Sequence, residues 1–156
     1  MASWADSTTF TWRVSNMTSE KKRIVVGYNA YFTSEKVIKV AKEHARAFNA
    51  RLYVVSSVVG HSLDEEGKLS NEEAAKRLDL LKASLKEEGI PHEMHMIVRE
   101  KKAGEDLVRF ANENNIDEIV VGFKERSAIG EMVFGSNYRY IIAKAPCPIV
   151  TVHDWA

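Results

Sequence analysis

The chain's clearest chemistry lies in its last third. Val120-Val121-Gly122 closes an apolar run, and Gly135-Ser136 follows after twelve residues, 123–134. Phe134 leads into the Gly-Ser pair, a helical pattern comes after it, and Pro148-Ile149-Val150-Thr151-Val152 is apolar again. A Gly-Ser pair at a helix start presents backbone N–H groups that have no acceptor inside the helix. Such a start accepts a phosphate. Each residue also has a plain structural use: glycine tolerates φ > 0 at a turn, and serine caps a helix. Between the two stands Glu125. A carboxylate about 5 Å from a phosphate charge costs on the order of 3 kcal/mol per pair at an effective dielectric near 20. That is about two decades of affinity. Lys124 and Arg126 flank Glu125 and leave the loop net positive, while Gly130 gives it a flexible point.

Other reactive side chains form no catalytic pattern. Cys147 is the only cysteine, which excludes an internal disulfide. It lies between Pro146 and Pro148 with no basic neighbour, so it reads as a structural thiol. His92 and His95 are three apart on a predicted strand, so they face opposite sides and make a poor metal pair. His44 reads as a packed histidine on a helix face. Ser56 and Ser57 end a strand without a nucleophile elbow. No Gly-x4-Gly-Lys-[Ser/Thr] run exists, so this is not a P-loop enzyme.

The elements that must position these residues follow from periodicity. Ile24 to Tyr28 is a short buried strand that turns at Gly27-Tyr28-Asn29. Ser34 caps a predicted helix with Val37, Ala41, His44, Ala45 and Phe48 on one face. Leu52 to Val59 is apolar without alternation, as in a strand covered on both faces. Gly60 to Leu69 reads as a polar loop, and Ser70 with Glu73 as a capping box. The next helix carries Ala74, Leu78, Leu81 and Leu85 on one stripe and ends near Gly89. Lys82, Lys86, Glu87 and Glu88 read as its solvated face.

His92 to Val98 is the third strand, with Met94, Met96 and Val98 alternating against His95 and Ile97. A helix through Leu107, Val108 and Ala111 ends near Asn114-Asn115. Ile116 to Val121 is the fourth strand, and Gly122 ends it. Gly135 to Ala143 is the fourth helix with Ile141 and Ile142 inward, and Ile149 to Val152 is the last strand. Strands alternating with helices imply right-handed crossovers and a parallel sheet. Ligands of such sheets bind outside the carboxyl ends of the strands. The residues there are Gly27, Tyr28 and Asn29, then Ser56, Ser57 and Val58, then Gly122 onward.

Composition bounds the class. The 156 residues suit one domain. Lys+Arg and Asp+Glu are 22 each, so charge makes no case for nucleic acid or an anionic membrane. No apolar run approaches the roughly 18 residues of a membrane span. No signal peptide pattern opens the chain, and the expected location is cytoplasmic. Residues 1–20 differ from the rest: Phe10, Trp12 and Val14 alternate with Thr9, Thr11 and Arg13. They read as an N-terminal extension, flexible or adding an edge strand, ahead of a domain over 21–156.

From Arg23 to Val152 the chain resembles the universal stress protein family. Gly122-Phe-Lys-Glu125, nine residues, then Gly135-Ser136 follows that family's Gly-x2-Gly-x9-Gly-[Ser/Thr] frame, with Glu125 at the middle glycine. Arg23-Ile24-Val25-Val26-Gly27-Tyr28-Asn29 resembles its first strand, with Asn29 where nucleotide binders carry Asp. Ala145 to Val152 resembles its last strand, and Ser34 its serine or threonine at the first helix.

The resemblance implies a single-domain, three-layer α/β sandwich with a five-stranded parallel sheet of order 3-2-1-4-5, Rossmann-like and of the adenine nucleotide α-hydrolase-like type. It implies ATP or AMP as ligand, with Mg beside a triphosphate. Asn29 would then meet the adenine and Ser57 would line the base pocket. Val121 and Gly122 would approach the ribose, and Gly27, at the end of the first strand, is counted among the binding positions. Gly135, Ser136, Asn137 and Tyr138 would donate to phosphates across the turn that holds Glu125. Relatives pair the last strand across a two-fold axis, which implies a homodimer through Ile149 to Val152. The function so implied is a nucleotide-binding stress-response sensor acting on a protein partner, with at most slow ATP hydrolysis. The departures at Glu125 and Asn29 keep a second reading open, a nucleotide-independent dimeric interaction module.

Overall fold

The computed structural model describes residues 21–29, 33, 35–58, 65–98, 102–123 and 136–153. In chain order the elements are β1 (Arg23–Tyr28), α1 (Glu35–Ala47), β2 (Arg51–Val58), α2 (Glu65–Glu87), β3 (His92–Val98), α3 (Ala103–Glu113), β4 (Glu118–Phe123), α4 (Ser136–Lys144) and β5 (Ile149–His153). The strands form one sheet of order β3-β2-β1-β4-β5, as expected. All four pairings are parallel, with Arg23 opposite Arg51, Ile24 opposite Glu118, Leu52 opposite His92 and Ile119 opposite Ile149.

Both faces of the sheet are covered, which is why its strands read as apolar runs. Ile24, Val26, Leu52, Val54 and Val120 face Val37 and Ala41 of α1 and Leu81 and Leu85 of α2. Val25, Tyr53, Val55, Ile119 and Val121 face Leu107, Phe110 and Ala111 of α3 and Ile141 of α4. Burying a residue such as Ile24, Leu52 or Leu85 stabilises the fold by about 1.5–3 kcal/mol.

Three helices stop by one device. Asn49, Gly89 and Asn115 have φ of 49°, 67° and 49°. The next residue then donates back into the last turn: Ala50 N–H to Ala45 O at 2.8 Å, Ile90 N–H to Leu85 O at 3.0 Å, Ile116 N–H to Ala111 O at 3.0 Å. These are Schellman stops, each with a buried apolar pair across the closing bond. Each turns the chain into the following strand.

Several expectations need correction. The helix expected from Ser70 begins at Glu65, so Ser70 and Glu73 lie inside it and form no capping box. β4 is Glu118–Phe123, two residues later than expected, so Gly122 lies inside the strand. Phe48 lies beyond the end of α1 and is 48% exposed, with the Lys22 ammonium 3.7 Å above its ring. Met96 sits on the edge strand β3 at 61% exposure. Ile142 is 55% exposed, because α4 turns only Ile141 inward. Nor is Glu88 simply solvated: it accepts from Lys42 Nζ at 2.5 Å, from Ser84 Oγ at 2.9 Å and from Arg46. Those donors hold its carboxyl down at about 2. The readings of residues 1–20, of the Ser34 cap and of the loop holding Glu125 lie outside the described residues.

At the amino end of β4, Glu118 is a buried carboxylate that needs donors. His44 Nδ1–H donates at 2.6 Å and the Lys22 ammonium lies at 3.6 Å. Cys147 lies close by, on the α3–α4 side of the sheet. Burial pushes its thiol up to about 11, with the Asp117 and Glu118 carboxylates adding to the rise. Alkylation of Cys147 at pH 8 is therefore expected to run on the order of 10²-fold slower than for an exposed thiol of pKa about 8.5. Iodoacetamide labelling followed by intact mass checks this, and a rate within a few-fold of a free thiol would contradict it.

Candidate functional site

Those of the expected ligand-facing residues that are described lie at the carboxyl edge of the sheet. β1 delivers Gly27 and then Asn29. β2 brings Ser57 to the same level, since Tyr28 lies opposite Ser56. β4 adds Val121, Gly122 and Phe123, and α4 starts at Ser136.

Asn29 opens a turn: its N–H donates to Thr33 Oγ1 at 2.7 Å, and its carbonyl accepts Thr33 N–H at 2.8 Å. Gly27 stands where a Cβ would come within 3.1 Å of Leu107 Cδ2 and 3.3 Å of Val121 Cγ1. It lets α3 lie close over the middle of the sheet. Gly122 faces the other way. Its φ is not positive, and what it provides is space: a Cβ there would be 2.7 Å from Val37 Cγ2. The turn conformation expected of Gly122 is thus replaced by a packing role under the first turn of α1.

Ser57 Oγ–H donates to Asp106 Oδ2 at 3.4 Å. Asp106 is only 1% exposed, and its other oxygen accepts from Arg109 at 3.1 Å. Sequence reasoning missed this buried acid. An acid in the first turn of a helix is common, and no spacing rule links it to Ser57, 49 positions away.

Ser136 is the first helical residue of α4, one place inside the N-cap position, and it is exposed. Asn137 is exposed too, and its side-chain carbonyl accepts Gly104 N–H of α3 at 3.1 Å. Tyr138 sends its hydroxyl toward Val121 O at 3.5 Å and packs edge-on to Phe123. Burial pushes that phenol up to about 12. Tyr138 therefore stays neutral, and its ring braces α4 against β4. Glu125 and Gly135 lie outside the described residues.

A line of contacts thus joins the edge residues, from Ser57 to Asp106, along α3 to Gly104, across to Asn137, and from Tyr138 to Val121. Two parallel crossovers leave the starts of α3 and α4 side by side at this edge, and the positive ends of both dipoles point there. That arrangement suits an anion.

A concavity of about 920 Å³ lies on the other face, between α1 and α2. Tyr28, Ile38 and Leu81 floor it, and Lys42, Arg46, Ser84 and Glu88 close part of its wall with their ion-pair network. Among the described residues no group of three His, Cys, Asp or Glu side chains gathers to hold a metal ion. There, too, no helix is long and apolar enough to cross a membrane.

Comparison with known proteins agrees with the geometry. The sequence model of the universal stress protein family matches residues 21–153. A universal stress protein of Thermus aquaticus is 28% identical over 137 residues, which span 84% of this chain and 98% of that protein. A universal stress protein structure from Archaeoglobus fulgidus is 33% identical with a TM-score of 0.68, covering 83% of this chain and 97% of its own. Another structure, of the universal stress protein from Archaeoglobus fulgidus in complex with dAMP, is 30% identical with a TM-score of 0.62, over 83% and 96%. The strand order, the Gly122 and Gly135-Ser136 frame and these matches agree, and the chain belongs to the universal stress protein family.

Proposed function

We propose that this protein binds an adenine nucleotide, ATP or AMP, at the carboxyl edge of the sheet and acts as a stress-response sensor. The observation that carries the reading is the dAMP complex of the 30%-identical Archaeoglobus fulgidus protein. This chain keeps donors for such a ligand in the exposed first turn of α4 at Ser136 and Asn137. Asn29 carries both a donor and an acceptor for a purine edge. The protein acts in the cytoplasm as a homodimer through β5, whose outer edge has no partner strand among the described residues. Nucleotide occupancy changes how that dimer meets a protein partner.

Calorimetry with AMP and ATP tests the reading. Wild type is expected to release heat with saturable binding, and Ser136→Ala to weaken it by roughly 10- to 100-fold, the loss of one charge-assisted hydrogen bond. No heat at millimolar nucleotide would overturn it.

Glu125 favours the second reading, a nucleotide-independent interaction module. In that case wild type stays silent and Glu125→Gly creates affinity, because the substitution removes both the carboxylate and the Cβ from the loop.

A further inference from the structure

We infer that Asn137 is a positioning residue: its side chain ties the phosphate-facing turn of α4 to the start of α3. The inference rests on the nucleotide reading above.

α3 begins poorly by its own sequence. Its N-cap residue is Lys102, which makes no side-chain capping bond. The Gly104 N–H, in the first turn, has no acceptor within its own helix. Asn137 Oδ1 supplies one at 3.1 Å from 33 positions further along the chain. A residue of α4 thus does the capping work that Ser, Thr, Asp or Asn normally does at a helix's own start.

The fit around the bond is close. A Cβ on Gly104 would stand 2.6 Å from Asn137 O and 2.9 Å from Asn137 Cα. The two helix starts therefore touch backbone to backbone. Two residues along α3, Asp106 accepts from Ser57, at the expected base end of the ligand. One turn of α3 thus spans from the base side to the phosphate side. Asn137 sets how far the first-turn N–H groups of α4 stand from the base pocket, so its removal should be felt by the phosphate and not by the nucleoside.

The experiment compares AMP with adenosine by calorimetry, and records the thermal midpoint, for wild type, Asn137→Ala, Lys102→Ser and the double variant. Asn137→Ala is expected to weaken AMP about 5- to 20-fold while adenosine changes less than about 2-fold, the size of one misplaced polar contact. Lys102→Ser in the Asn137→Ala background gives α3 its own cap. It is expected to raise the midpoint by roughly 2–4 °C without restoring AMP affinity beyond what Lys102→Ser alone accounts for. Recovery of both would reduce Asn137 to a cap and overturn the proposal. So would equal losses for AMP and adenosine, or unchanged AMP binding. Wild type that binds neither ligand would instead bring down the nucleotide reading, and this proposal with it.

Discussion

Gly104→Ala is expected to lower the thermal midpoint by roughly 4–8 °C, corresponding to about 2 kcal/mol in a domain of this size. Two effects compete. Alanine favours a helix over glycine by up to about 1 kcal/mol, so propensity alone predicts a more stable protein. Against this, the new methyl would lie 2.6 Å from Asn137 O, 2.9 Å from Asn137 Cα and 3.1 Å from Asn137 C. Those atoms are backbone, so no rotamer change relieves the overlap, and α4 must move away from α3. That movement also breaks the Asn137–Gly104 bond and leaves a first-turn donor unpaired. Overpacking and the lost bond together outweigh the propensity gain. Scanning calorimetry checks the sign, and a raised midpoint would mean that the two helix starts are not in register.

The same substitution at Gly122 is expected to cost about 1–2 kcal/mol, and a second mutation should relieve it. Inside a strand alanine is ordinarily favoured over glycine by roughly 0.5–1 kcal/mol. Here its Cβ would meet Val37 Cγ2 at 2.7 Å, in the core under α1. Val37 is 1% exposed and β-branched, so its methyl has few other places to go. Unlike Asn137 O, however, that methyl can be deleted. Val37→Ala alone is expected to cost about 2 kcal/mol, through lost burial and the cavity left behind. In the double variant the methyl introduced by Gly122→Ala takes up part of that space, so the costs should combine to less than their sum by at least about 1 kcal/mol. Urea unfolding of the two single variants and the double one measures the coupling. Strict additivity would show that Gly122 is not held there by Val37.

These glycines mark where sequence reading reaches its limit. The sheet was legible because strands covered on both faces spell themselves as apolar runs, and Asn114-Asn115 and Gly89 announce helix stops. The order 3-2-1-4-5 came from resemblance and is what the strands adopt. The start of α2 was not legible, because Ser70 and Glu73 suit a cap and a helix interior alike. Gly122 was legible as necessary but not for its reason, since a turn glycine and a packing glycine look the same in a sequence. The Asn137–Gly104 and His44–Glu118 bonds join residues 33 and 74 positions apart. One sign was present: Lys102 is a weak residue to open a helix, so a cap from elsewhere was needed. Only the packing of α4 on α3 shows where it comes from.

The sheet order also bears on how the chain emerges from the ribosome. β1 is made first yet ends at the centre, and its pairing with β4 joins segments almost a hundred residues apart, as the Arg23–Asp117 bond 94 positions apart shows. β2 and β3 can zip onto one side of β1 as each is synthesised. The other side stays open until β4 is out, with the apolar edge of Ile24, Val25 and Val26 exposed throughout. Such long-range parallel closure is the slow, aggregation-exposed step of a fold. Nascent chains from which β4 has not yet emerged should therefore engage chaperones more than chains that expose β4 through Phe123.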